Sequence, residues 1–140
     1  MPGIEAASRP VQAATAQARR QQAAAPKLLY AVDGVLTPSS PVTDVSRLTT
    51  LATAAVTAGK GHVLGASHVV FPNGAITLVL ILAESHLSIH TWPEERLIAI
   101  DLFSCGAIDG EAVISELVRR LRLDGVSVRT MPRGPAPDAG

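Results

Sequence analysis

The sequence has very few aromatic residues and a single cysteine. The aromatic residues are Tyr30, Phe71, Trp92 and Phe103, and the one thiol is Cys105. A lone cysteine excludes an intrachain disulfide and fits a reducing compartment, so we expect a cytoplasmic protein. Because aromatic side chains are scarce, any of them beside a cluster of polar residues is a candidate for ligand contact.

The chain also lacks an excess of either charge and lacks a long hydrophobic run. Its 12 Lys and Arg residues balance 12 Asp and Glu residues, which removes the attraction that nucleic acid or an anionic membrane would exert. The longest apolar stretch, Ala75 to Ala83, is too short and too interrupted by threonine to span a bilayer. We therefore expect no nucleic-acid partner and no membrane partner.

The two ends of the chain differ in composition from its middle. Residues 1–26 are rich in Ala and Gln without a sustained apolar run, so we expect a disordered N-terminal extension, with an organellar presequence as the alternative. Proline and glycine crowd residues 132–140, which indicates a flexible tail. Since 47% of the residues are hydrophobic, residues 27–131 can form one domain with one core.

Apolar periodicity predicts the elements of this domain. Helical spacing indicates one helix from Val42 to Ala58 and a second that is capped by Asp109 and ends at Gly125. Strand-like segments are Lys27–Val32, His62–Val70, Ala75–Glu84, Leu97–Phe103 and Val126–Thr130. The order β-α-β-β-β-α-β predicts an α+β two-layer sandwich, in which a mostly antiparallel sheet carries both helices on one face.

The most informative stretch follows Ala75–Glu84, a segment whose nearly continuous apolar character predicts burial on both faces. Residues 84–94 read Glu-Ser-His-Leu-Ser-Ile-His-Thr-Trp-Pro-Glu. Polar side chains at the end of a buried strand cost free energy unless each finds a partner, so such a cluster is typical of a functional site. A second run, Asp-Leu-Phe-Ser-Cys-Gly, covers residues 101–106.

Together these two runs resemble the two signature motifs of the prokaryotic-type S-adenosylmethionine decarboxylases, at the expected separation. The resemblance covers roughly residues 27–123 and is densest from 71 to 106. It implies a carboxy-lyase that converts S-adenosylmethionine to its decarboxylated form for polyamine (spermidine) synthesis. It also implies a zymogen that makes its own pyruvoyl cofactor by autocatalytic cleavage, with no metal.

The resemblance assigns roles in the processing step to four residues. Ser85 attacks the carbonyl of Glu84, the chain is cleaved between the two, and a pyruvoyl group remains where Ser85 stood. His90 transfers protons during this processing, and Thr77 on the preceding strand assists. The pyruvoyl ketone then forms a Schiff base with the amine of the substrate and accepts the electrons freed when carbon dioxide leaves.

Three further positions match residues that act on the bound substrate. Cys105 matches the donor that returns a proton to the α-carbon, because a free thiol carries its proton at neutral pH. Phe71 matches the aromatic that stacks on adenine and faces the sulfonium. Glu94 matches the carboxylate that accepts hydrogen bonds from both ribose hydroxyls.

The residues by themselves leave other interpretations open. His86 and His90 lie four apart on a strand and share a face, so they could hold a metal, although no further ligand follows at a recognisable spacing and we assign no metal site. Cys105 could be a structural thiol, or it could pair with His90 as a hydrolase nucleophile. Phe71 and Glu94 could have only structural roles.

The start of the domain departs from the family pattern. Members carry a Gly-Arg-His-like start and an acidic residue on the first strand, whereas Lys27–Val32 has no acid and Asp33 is the nearest one. Because this region helps line the substrate pocket, the first alternative is a sister enzyme that decarboxylates ornithine or arginine, with Asp33 binding the distal cation. The second alternative is an unprocessed, non-catalytic regulatory paralogue.

The resemblance also implies an assembly. Family members pair two processed protomers, and the edge strands of a small sheet favour association. We therefore expect a homodimer that acts on a small-molecule substrate.

Overall fold

The computed structural model describes residues 5–8 and 26–135 of the chain. These residues form two helices, α1 (Val45–Ala58) and α2 (Gly110–Leu121), and a short 3-10 turn covers Pro93–Glu95. The strands are β1 (Glu5–Ser8), β2 (Lys27–Leu36), β3 (Val63–Val70), β4 (Ile76–Leu82), β5 (Ser85–Trp92), β6 (Leu97–Ser104) and β7 (Leu123–Arg133).

All the strands form one antiparallel sheet in the order β1-β3-β4-β5-β6-β2-β7. Strands β3 to β6 follow one another as a meander, whereas β2 lies between β6 and β7. The two helices pack against each other and against the sheet. This architecture confirms the predicted α+β class, with an antiparallel sheet and both helices in one layer.

Side-chain capping fixes where the helices begin. The carboxylate of Asp44 accepts a hydrogen bond from the Arg47 N–H at 2.7 Å, and that of Asp109 accepts one from the Ala112 N–H at 3.0 Å. Both bonds satisfy donors that a helix N-terminus leaves free. Asp109 is thus the N-cap that the sequence predicts, while the first helix begins at Val45 rather than Val42.

The core lies between the helices and one face of the sheet. Every second residue of β4, β5 and β6 is buried there, from Ile76 on β4 to Leu102 on β6. The alternate residues of β4, Thr77, Val79 and Ile81, are only partly buried because neither α1 nor α2 covers their face. The expectation that this strand is buried on both faces is therefore wrong for the single chain.

Several predicted boundaries also need correction. Four strands lie between the helices instead of three, because the polar run Ser85–Trp92 is itself a strand in which His and Ser alternate with buried Leu87 and Ile89. The last strand begins at Leu123, so the second helix ends before Gly125, and the strand runs on to Arg133.

Both predicted terminal segments contain some regular structure. Glu5–Ser8 of the extension pairs with β3, while the rest of the extension up to residue 25 lies outside the described residues, as do residues 136–140 of the tail. Strand β7 continues through Pro132, which an edge strand tolerates because one side needs no N–H donor. None of the described helices combines the length and the hydropathy that crossing a membrane requires.

Candidate active site

The hairpin between β4 and β5 concentrates strain at Ser85. Ala83 and Glu84 form the two-residue turn, and Leu82 pairs with Ser85. Turns of this length match the twist of the strands best when turn residues have positive φ. Neither turn residue does so, and instead Ser85 has a φ of 136°. A serine in a region that normally suits glycine carries strain on the order of 1–3 kcal/mol.

Two hydrogen bonds from Cys105 converge on the carbonyl oxygen of Glu84. The backbone N–H donates at 3.0 Å and the thiol donates at 3.3 Å. Strand pairing explains this placement, because Ser85 lies opposite Ser104, the residue before Cys105. Two donors on one carbonyl oxygen form the arrangement that stabilises a developing oxyanion during acyl transfer.

The hydroxyl of Ser85 contacts the same thiol. Its Oγ lies 3.3 Å from the Sγ of Cys105. Because the single S–H proton is directed at the Glu84 carbonyl, the Ser85 hydroxyl can donate to the sulfur. Cys105 is buried, with 5% of its surface exposed, so this contact is shielded from water. The thiol of Cys105 therefore contacts both the hydroxyl of Ser85 and the carbonyl of Glu84.

The carboxylate of Glu84 also has a partner, His62, that no sequence motif points to. It accepts hydrogen bonds from the His62 backbone N–H at 2.9 Å and from its Nδ1 at 2.8 Å. The nearest sequence signal is Gly61, which follows the end of the first helix at Ala58 and directly precedes His62.

A second group of predicted residues assembles where β4 and β5 lie side by side. Thr77 and His90 are direct cross-strand neighbours, with 3.2 Å between Oγ1 and Nδ1. A cleft of about 520 Å³ opens beside them and is lined in part by Phe71, Asn73 and Trp92. The structure therefore brings Thr77, His90 and Phe71 to one cleft.

Glu94 joins this cleft through Asn73, which the sequence analysis missed as a site residue. The side-chain amide of Asn73 donates to both carboxylate oxygens, at 3.1 and 3.4 Å, while its own oxygen accepts from the Ala75 N–H. The only sequence signal for Asn73 is its place in the Pro-Asn-Gly turn after Phe71. Glu94 is exposed, but its hydrogen bonds to Asn73 fix its orientation, so it is not a freely solvated charge.

The two groups are separate within one chain. Ser85 and His90 lie five residues apart on an extended strand, which is about 16 Å. After the roles that the resemblance implies for them, we call Glu84, Ser85 and Cys105 the scissile half-site, and Phe71, Thr77, His90 and Glu94 the substrate half-site. His90 therefore cannot pair with Cys105 of its own chain, as the hydrolase interpretation would need within a single chain.

The alternative of a metal held by His86 and His90 also fails on distance. The two residues share a face of β5 but are about 13 Å apart along it. The imidazole of His86 stacks on Phe103, with 5.9 Å between the ring centroids. Across residues 5–8 and 26–135, no three His, Cys, Asp or Glu side chains come together as ligands would.

Two residues of the first strand of the domain, Asp33 and Tyr30, contact other elements of the fold. Asp33 forms an ion pair with Arg129 of β7, with 3.2 Å between Oδ2 and the guanidinium. Tyr30 is buried, and its ring leaves no room for a Cβ on Gly110. Burial raises the pKa of the Tyr30 phenol, and the nearby charges of Glu111 and Asp109 raise it further, so the side chain remains neutral.

Comparison with known sequences identifies the family. The sequence profile described as S-adenosylmethionine decarboxylase matches residues 29–134, most of the chain. The chain belongs to the S-adenosylmethionine decarboxylase family. The identification made from the two motifs is thereby confirmed, and with it the assignment to the decarboxylases.

Named relatives of this family are similar over part of the chain. S-adenosylmethionine decarboxylase proenzyme 2 of Bacillus cereus is 38% identical over 85 residues, 60% of this chain and 68% of the relative. The proenzyme of Thermoplasma acidophilum is 45% identical over 64 residues, 45% of this chain and 48% of the relative.

A solved structure has the same fold. The adenosylmethionine decarboxylase of Aquifex aeolicus superimposes with a TM-score of 0.72 at 23% identity, covering 83% of this chain and 97% of that one. The similarity supports the architecture described above.

The strain at Ser85 gives a first testable prediction. Ser85→Gly and Ser85→Ala both remove the hydroxyl, so both should stay intact and can be compared by urea unfolding. Because glycine accepts a φ of 136°, we expect Ser85→Gly to be more stable than Ser85→Ala by about 1 kcal/mol. At Ser88, where φ is not positive, glycine should be less stable than alanine by about 0.5–1 kcal/mol. The same sign at both positions would contradict the strain.

Proposed function

We propose that this chain is a decarboxylase of S-adenosylmethionine that makes its own pyruvoyl group by cleaving the Glu84–Ser85 bond. The observation that carries the proposal is the convergence of groups on that bond. Ser85 is strained, its hydroxyl lies beside Cys105, and the carbonyl to be attacked accepts two hydrogen bonds from Cys105. Attack on an amide is slow unless the carbonyl is polarised and the backbone is held in a reactive geometry.

The processing can be followed atom by atom. The Oγ of Ser85 attacks the Glu84 carbonyl carbon, the oxyanion is stabilised by the two Cys105 donors, and the hydroxyl proton passes to the Ser85 nitrogen as the amide becomes an ester. Removal of the α-proton of residue 85 then expels the Glu84 carboxylate. Hydrolysis of the remaining enamine releases ammonia and leaves the pyruvoyl group at the new N-terminus. His90 moves the protons, and Thr77 orients its ring.

We further propose that a second copy of the chain completes the site. No helix formed by the described residues covers the second face of the sheet, although apolar residues such as Val79, Ile81 and Phe103 lie on it, and an uncovered apolar face indicates an interface. A two-fold dimer places the same patch of each copy on the other. The scissile half-site of one copy can then meet the partner's substrate half-site, so that the partner's His90 acts on Ser85.

The residues around the cleaved bond fit the pyruvoyl group and its substrate. The group supplies the electron sink for loss of carbon dioxide. The thiol of Cys105, already 3.3 Å from the Oγ of Ser85, returns a proton to the substrate. Phe71 stacks on adenine and faces the sulfonium, while Asn73 holds the Glu94 carboxylate for the ribose hydroxyls.

Two observations weigh against the alternative functions. Asp33 already has a cationic partner in Arg129, which makes it a weaker site for the distal charge of ornithine or arginine. The scissile half-site has its nucleophile and both carbonyl donors in place, which an unprocessed regulatory paralogue would not need. We therefore propose that the product is decarboxylated S-adenosylmethionine for spermidine synthesis, made in the cytoplasm.

Self-cleavage is the first prediction from this proposal. Mass spectrometry under denaturing conditions should find residues 1–84 and residues 85–140, the latter with a pyruvoyl group at its N-terminus. Ser85→Ala should remain one chain. Cys105→Ala should cleave slowly, because its backbone N–H remains. During turnover it should accumulate N-terminal alanine, because protonation at the wrong carbon transfers the substrate amine to the pyruvoyl group. A wild-type chain that stays intact after long incubation would refute the proposal.

Complementation between inactive variants tests the shared site. His90→Ala alone should stay uncleaved. When it is coexpressed with Ser85→Ala, whose His90 is intact, the His90→Ala chain should be cleaved, because a mixed dimer restores one complete site. Mass spectrometry distinguishes the two chains by their different masses. Coexpression with the double variant Ser85→Ala/His90→Ala is the control, and equal cleavage in the two mixtures would argue against a site shared between copies.

Substrate choice is tested with the substrate half-site. Glu94→Gln should weaken S-adenosylmethionine binding by about 1.5–3 kcal/mol, since a hydrogen bond to a charged acceptor is lost. Phe71→Ala should weaken it as well, through lost stacking and cation–π attraction. Both variants should still self-cleave. Carbon dioxide release from S-adenosylmethionine, ornithine and arginine is measured side by side, and activity on the amino acids alone would overturn the substrate assignment.

A further inference from the structure

Glu84 is held by its side chain as well as by its carbonyl. Only 9% of its side chain is exposed, and the carboxylate accepts from the His62 N–H and from its Nδ1. The carbonyl of His62 accepts in turn from the Ala83 N–H at 2.9 Å. Three hydrogen bonds thus join one residue to the two residues that precede Ser85.

His62 is itself fixed to the helical layer through its neighbour. The N–H of Gly61 donates to the Val56 carbonyl of α1 at 2.8 Å. A Cβ on Gly61 would lie 2.6 Å from Val56 and 2.7 Å from Ile108, so the main chain is pressed against both. The imidazole of His62, by contrast, is 73% exposed. The ring therefore does not fill the core. The contact through which this side chain can affect the turn is its hydrogen bond to the Glu84 carboxylate.

The two sets of contacts act on opposite sides of the Glu84 Cα. Cys105 holds the carbonyl oxygen, while His62 holds the carboxylate at the far end of the side chain. With both ends held, the Glu84 peptide plane cannot rotate freely, and a fixed plane is what attack by a neighbouring hydroxyl requires. If the carboxylate were released, the turn could relax and the carbonyl could swing away from Ser85.

We propose that His62 is a positioning residue for self-cleavage, which holds the scissile carbonyl in the path of the Ser85 hydroxyl through the carboxylate of Glu84. This inference rests on the cleavage proposed above. It adds a residue that lies outside the two motifs and makes no contact with the substrate half-site. His62 and Glu84 both belong to the N-terminal fragment, so their contact can persist after cleavage.

The test compares His62→Ala with His62→Asn, whose side-chain amide places an N–H donor close to the position of Nδ1. Cleavage of freshly synthesised chains is followed over time by denaturing mass spectrometry. We expect His62→Ala to slow cleavage by roughly 10- to 100-fold, the scale of one hydrogen bond to a charged group, and His62→Asn to restore most of the rate. His68→Ala, which changes another histidine near the same sheet edge, should cleave normally.

A purely structural role is separated by measuring thermal unfolding of the same substitutions in a Ser85→Ala background, where no cleavage occurs. The positioning role is supported if His62→Ala cleaves slowly while the same substitution in the Ser85→Ala background leaves the Tm close to that of Ser85→Ala alone. Equal slowing by His62→Ala and His62→Asn, or slowing that His68→Ala matches at equal loss of stability, overturns it. If the wild type cleaves and His62→Ala keeps its rate, only the role of His62 fails, whereas an intact wild type overturns the proposed function too.

Discussion

The hydrogen bond from the Cys105 N–H to the Glu84 carbonyl is the contact on which the scissile half-site depends. It is a backbone bond, so its position is set by the register of β5 against β6 rather than by any side chain. A slip of one residue would turn every side chain of β5 to the other face and bury the histidines. The pairing of Leu87 with Leu102 and of Ile89 with Ile100, all of them in the core, makes such a slip costly.

The same register explains why the two half-sites are kept apart. An antiparallel strand can carry catalytic groups at both ends, but it cannot bring its own ends together. Strand β5 therefore presents Ser85 at one end and His90 near the other. Helices α1 and α2 cover one face of the sheet, and none of the described residues forms a helix on the other face, where a second copy could bind. The two half-sites are therefore far apart within one chain, while one face of the sheet is accessible to a second copy.

The local motifs could be predicted from sequence, while the contacts between distant segments could not. The α+β class, the N-cap at Asp109 and the family follow from periodicity and from two short runs of residues. Strand β5 was not predicted, although its His and Ser residues alternate with Leu87 and Ile89 as in a strand buried on one face, because this polar run was interpreted only as a functional motif. Asn73 and His62 were missed since each meets its carboxylate across about twenty residues of chain, and only the folded sheet brings such segments together.

The strand order determines how the two fragments would be held together after the proposed self-cleavage. Strand β2 precedes Glu84, yet in the sheet it lies between β6 and β7, which both follow Ser85. The two fragments would be interleaved in one sheet, so neither could dissociate unless the pairing of β2 with β6 and β7 were broken. Once denatured, however, they would have to find each other by diffusion, and recovery would fall with dilution. The mature enzyme would owe its persistence to slow unfolding rather than to reversible refolding.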